Sequence, residues 1–172
     1  MRPFATGLPV LRGLRGHFVY YNDHYAASDE RKRVMGNVTF EHQYVNAGFD
    51  YMSAKDQTLA TATNAESNGY SVWATPRKPM ANNASFEALL RYDHWTPNTS
   101  TSIFAPPATS PQAGVTVLGD QHQNRTIVGF AYWFPHQGTV TAAIMLDYDG
   151  QSFKNITTPV TKLVTLHGLL TF

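Results

Sequence analysis

Leu163-Val-Thr-Leu-His-Gly-Leu-Leu-Thr-Phe172 alternates along its whole length. Val164, Leu166, Gly168, Leu170 and Phe172 form one series, apolar but for the glycine, which adds nothing to it. Leu163, Thr165, His167, Leu169 and Thr171 form the other, a mixture of polar and apolar residues. A period of two is the signature of a β-strand whose two faces meet different surroundings. One such segment can arise by chance, so its weight rests on whether the rest of the chain repeats it.

It does, about seven more times. Leu11–Asn22 sets Leu14, Gly16, Phe18 and Tyr20 against Arg15, His17, Val19 and Tyr21. Arg33–Glu41 and Tyr44–Ala54 follow, with Val34, Val38 and Phe40, then Val45, Ala47, Phe49 and Tyr51, as their apolar series. Asn68–Pro76 carries Tyr70, Val72 and Ala74 on one side, and Ala84–Trp95 sets Phe86, Ala88, Leu90 and Tyr92 against Glu87, Leu89, Arg91 and Asp93. Arg125–Phe134 is nearly all apolar, so its facing is undecided. Thr139–Asp149 opposes Val140, Ala142, Ile144, Leu146 and Tyr148 to Thr141, Ala143, Met145, Asp147 and Asp149. No long segment keeps apolar residues at helical spacing, and Gly and Pro punctuate throughout. The fold class is all-β.

Composition narrows the setting. Of the 172 residues, 15% are charged, against roughly 25% in soluble domains, while 13% are aromatic. A net charge of +1 offers no nucleic-acid footprint. No run approaches the roughly 20 apolar residues of a membrane helix. Cysteine is absent, which excludes a disulfide framework and thiolate metal sites.

The connections complete the pattern. Asp23–Lys32, Lys55–Ser67, Thr96–Asn124 and Gly150–Val160 fall on one side, and His42–Gln43, Arg77–Asn83 and His136–Gly138 on the other, each shorter than its neighbours. Strands near the 9–11 residues that cross a bilayer obliquely, short periplasmic turns, long outer loops and a terminal aromatic predict an antiparallel transmembrane β-barrel, about eight strands in one domain over 1–172. Trp95, Trp133 and Tyr148 are expected at the lipid–water interfaces. Thr96–Asn124, rich in Pro, Thr, Ser and Gln, reads as a mobile surface loop or an inward-folded constriction.

Ser85-Phe-Glu-Ala-Leu-Leu-Arg-Tyr-Asp-His-Trp-Thr-Pro-Asn-Thr99 resembles the strand-and-loop motif of bacterial porins, and Arg125-Thr-Ile-Val-Gly-Phe-Ala-Tyr-Trp-Phe-Pro135 their next strand. With the terminal Leu-Leu-Thr-Phe the resemblance covers roughly Gly69–Phe172; phosphate-selective and general porins share these features. It implies a bacterial outer-membrane location, passive diffusion of small polar solutes or ions, trimers, and assembly through the carboxy-terminal strand by the barrel-assembly machinery. Porins commonly have about sixteen strands and begin with a signal peptide, which Met1–Pro9 does not resemble. The chain therefore reads as the carboxy-terminal portion of a porin, with direct closure of a small non-conducting barrel as the alternative.

Within this reading Arg15, His17, Asn37, Asn46, Asp50, Glu87, Arg91, Asp93 and Asp147 line the lumen, while Val164, Leu166, Leu170 and Phe172 face lipid and serve assembly. Only Arg15 and Arg91 are clearly inward cations, beside several carboxylates, so anion selectivity is not expected. No catalytic residue, cofactor or metal ligand is assigned. The seven histidines are scattered, Asp93-His94 has no positioned serine, and Asp147-Tyr-Asp-Gly-Gln lacks the rest of a calcium loop. The rival class is a secreted β-sandwich that binds carbohydrate or another ligand, since short alternating strands suit it as well.

Overall fold

The computed structural model describes residues 13–24, 30–57, 64–97, 99, 122–136, 140–154 and 160–171. Eight strands follow one another: β1 (Leu14–His24), β2 (Glu30–His42), β3 (Val45–Gln57), β4 (Asn64–Pro79), β5 (Ser85–Thr96), β6 (His122–Trp133), β7 (Thr141–Lys154) and β8 (Thr161–Thr171). They form one antiparallel sheet in sequence order, each strand paired with the next. A single 3₁₀ turn, Ala81–Asn83, joins β4 to β5, and Asn82 and Asn83 take the left-handed conformation there, as Asn tolerates. Among the described residues no helix is long and apolar enough to cross a membrane, which bears on helices alone.

The sheet is open: β1 and β8 are its edges and are not paired with each other. The all-β expectation and the strand count hold, and the closure expected of a barrel is not present among the described residues. Strand ends also differ from the expectation. β4 begins at Asn64 rather than Asn68, and β7 runs to Lys154 rather than Asp149. These extensions are polar hairpin arms, such as Lys55 opposite Glu66 and Ser152 opposite Asn124, whose ladder hydrogen bonds continue where apolar alternation has stopped. The link between β6 and β7, 134–140, is longer than that between β7 and β8, 155–160, so the strict alternation of link lengths fails. Phe172 and nearly all of the 96–124 segment lie outside the described residues.

Register sorts the side chains into two faces. One carries Leu14, Phe18, Tyr20, Val38, Phe49, Val72, Leu90, Phe130, Leu146 and Leu166, directly or diagonally opposed across successive strands. These stand well exposed: Phe18 is 72% and Leu166 67% accessible. Among the described residues no side chain larger than that of threonine is buried, and the buried set is Ala54, Ser71, Ala84, Thr96, Ala143 and glycines. A soluble domain places its large apolar side chains against a second layer. Here nothing among the described residues covers them, and so wide an apolar patch marks an interaction surface.

That apolar face is a band. It spans Leu14–Tyr20, Val34–Phe40, Val45–Tyr51, Tyr70–Pro76, Phe86–Tyr92, Thr126–Tyr132, Ala142–Tyr148 and Val164–Leu170, and no ionisable Asp, Glu, Lys, Arg or His on that face falls inside it. Tyr20, Tyr51, Tyr70, Tyr92 and Tyr148 edge it on the long-loop side, and Phe40, Phe86 and Tyr132 on the other. Phe86 and Tyr132 pack with ring centroids 4.9 Å apart, as do Tyr70 and Tyr92 at 6.2 Å. Lys32, Lys55, Lys154 and Lys162 follow beyond the Tyr row.

The strands run obliquely to the band. Straight across the ladder from His17 lie Asn37, Asp50, Ser71, Asp93, Arg125, Gln151 and Thr161. This line starts at the band's middle in β1 and ends outside it in β8, whose band centres on His167. A drift from Thr161 to His167, at about 3.3 Å per residue over strand spacings of about 4.8 Å, is a tilt of roughly 30°.

Candidate functional site: an ion-paired polar face

The opposite face carries most of the paired charge; Glu30 with Lys32 and Lys55 with Glu66 pair on the first face, beyond its band. Arg15 Nη1 donates to Glu41 Oε1 at 2.8 Å, and Arg33 Nη2 to Asp56 Oδ2 at 2.7 Å. Arg77 Nη2 meets Glu87 Oε2 at 2.9 Å, and Trp133 Nε1 donates to the same oxygen at 3.2 Å. Arg91 Nε pairs with Asp93 Oδ1 at 2.8 Å, and His167 Nε2 lies 2.8 Å from Asp147 Oδ1. Arg125 grips Asp149 through two nitrogens, Nε to Oδ1 at 3.0 Å and Nη2 to Oδ2 at 2.6 Å. Most of these pairs join adjacent strands. Half-exposed pairs of this kind each contribute about 0–1 kcal/mol, so their effect lies more in orienting charge than in stability.

All nine residues expected to line a lumen share this face, and Val164, Leu166 and Leu170 lie on the other. His17, Asn37, Asp50 and Asp93 fall on one crossing line, and with Arg91 they border a hollow of about 450 Å³ that includes Ser71 and Trp95. Glu87 and Asp147 border a second, of about 440 Å³, with Trp133 and His167. Arg15 and Asn46 stand apart, toward the short-turn end, where Asn46 Oδ1 accepts the His42 N–H at 3.4 Å. Among the described residues no three His, Asp or Glu side chains gather as metal ligands would.

Two of the three expected interfacial aromatics are misplaced by that reading. Tyr148 is on the apolar face, but Trp95 and Trp133 are on the polar one. Their indoles have local uses. Trp133 donates to Glu87, and the Trp95 ring lies close to Gly69, where a Cβ would come within 2.5 Å of it. Trp73 covers Gly48 in the same way.

Arg33, Asp56, Arg77, Arg125, Asp149 and His167 also belong to the polar face and were not among the expected site residues. Arg33 and His167 were available from alternation alone. Arg125 was not, because β6 is apolar on both series and only its pairing with β5 and β7 assigns a side.

Beyond the Tyr row, the Tyr21 hydroxyl donates to Asp23 Oδ2 at 2.6 Å and the His24 N–H to Oδ1 at 2.8 Å. These bonds, the hydroxyl first, hold the exposed Asp23 carboxyl below its ordinary range. A carboxyl with a depressed folded-state pKa stabilises above its unfolded value and loses that contribution as pH falls through the folded one. Tyr21→Phe should therefore move the Asp23 titration, followed by NMR, back upward.

Comparison with protein-family models, curated proteins and solved structures gives no match to this chain.

Proposed function

We propose that this sheet is the wall of a porin-type β-barrel in a bacterial outer membrane, apolar face to lipid, polar face to an aqueous path for small polar solutes or ions. The observation that carries this reading is the confinement of ionisable groups to one face across a band edged by aromatic rows on both sides. Outer-membrane barrels have an apolar band about 25 Å tall with such girdles, and strands tilted by about 35–45°; the drift described above is close to that range. A β-sandwich would bury one face of each sheet under the other, whereas here large apolar side chains remain uncovered. Solutes would cross without covalent chemistry, past the ion-paired side chains, whose transverse field orients them.

In lipid an unpaired edge is not viable, so this function requires β1 and β8 to gain partners, either each other or further strands of a larger ring. Side chains fill an eight-stranded interior, while a larger ring leaves an aqueous lumen. The test is refolding into planar bilayers with single-channel recording. Stepwise conductance is expected, and Glu87→Gln, which removes the charge facing Arg77, should shift ion preference toward anions without reducing insertion. Folding without conductance would mean a filled small barrel, and a soluble monomer in buffer that never inserts would overturn the membrane reading.

A further inference from the structure

On the polar face, within the span of the apolar band, Asp50 differs from the other carboxylates. Glu41, Asp56, Glu87, Asp93, Asp147 and Asp149 each meet an arginine or histidine. Asp50 has no cationic partner among the described residues and accepts only the Asn37 amide, at Oδ1. Directly across on β4 is Ser71, 8% exposed, whose Oγ has no hydrogen-bond partner. Beyond Ser71 lies Asp93 on β5, and the Trp95 indole borders the same hollow. A buried hydroxyl without a partner is costly unless something satisfies it, and a carboxylate lacking a counter-charge draws a cation.

We propose that this hollow is a station for solutes carrying a primary ammonium group. Arg91 also borders the hollow, but its guanidinium is held by Asp93. The ammonium supplies what Asp50 itself lacks, a positive charge and N–H donors for its free oxygen, with a donor for Ser71 Oγ once that enclosed side chain turns into the hollow, and it sits beside Trp95. Asp93, paired with Arg91, flanks the position one strand farther on, so Asp50 carries the unbalanced charge of the hollow. This inference names the solute class of the pathway proposed above and rests on that reading for its transport meaning, though not for binding itself.

Butane-1,4-diamine is the probe, used in two settings. In uncharged detergent micelles it should shift tryptophan emission saturably, an effect lost in Trp95→Phe. Asp50→Asn should weaken binding by about tenfold, as expected for losing a charged hydrogen bond, and Ser71→Ala should weaken it less while folding normally. In bilayers the diamine should reduce potassium current with the same ranking of variants. Saturable binding in micelles without channels would overturn the pore and keep the station. Channels with no saturable diamine binding, or with binding unchanged in both Asp50→Asn and Ser71→Ala, would overturn the station and keep the pore.

Discussion

Arginine in place of Leu146 will cost about 2–4 kcal/mol of folding free energy in a lipid bilayer, the range for a cation near the midplane of a barrel's lipid face. Leu146 sits mid-band on β7, is 50% exposed, and has Leu166 and Phe130 beside it. The opposite class of protein makes the opposite prediction. On a soluble sheet a half-exposed leucine tolerates arginine to within about 0.5 kcal/mol. Thr165→Arg is the internal control: Thr165 is on the polar face, directly across from Asp147, and should change stability little in either medium. Urea titrations of refolding into vesicles, followed by tryptophan emission, measure both. Equal costs for the two variants would mean that neither face meets hydrocarbon.

Valine at Gly69 should be the most damaging of the glycine substitutions inside the strands. The added Cβ would come within 2.5 Å of the Trp95 ring and 2.6 Å of the His94 carbonyl oxygen. An indole can swing aside, but the carbonyl belongs to β5 and moves only with the strand. Overpacking of this kind costs about 1–3 kcal/mol, and displacing Trp95 should also change the emission spectrum. Gly36 and Gly168 lie in open space, with nothing within 4 Å of a built Cβ. Alanine at either should be neutral or stabilise by about 0.4–1 kcal/mol through the unfolded chain. The same urea titrations in vesicles would show the contrast in sign.

The alternation of side chains was legible because a strand's period is fixed and, inside the apolar band, the strands keep their charges on one series, as Glu87 and Arg91 do in β5. It failed for β6, where Ile127, Ala131 and Trp133 are as apolar as Val128, Phe130 and Tyr132. It failed again at the ends of β4 and β7, where polar hairpin arms carry no amphipathic signal. The ion pairs were illegible for a different reason: Arg125 meets Asp149 across 24 residues of chain, and only strand register creates that meeting. Ser71 had no sequence signal at all, since its interest lies in a hydroxyl left without a partner.

The one-sided distribution of charge also has a bearing on assembly, as a parity check. Sliding one strand past its neighbour by an odd number of residues turns its faces over. If the apolar face meets lipid as proposed, in β5 that would send Glu87, Arg91 and Asp93 into hydrocarbon and Leu90 and Tyr92 into water. On that reading a misplaced arginine alone would cost about 2–4 kcal/mol, so odd slips are strongly disfavoured. A slip of two residues keeps every face correct and loses only contacts such as Arg77 with Glu87, a far smaller penalty. Mistakes that survive to the folded state should therefore be even ones, and the cross-strand ion pairs are what discriminate against them.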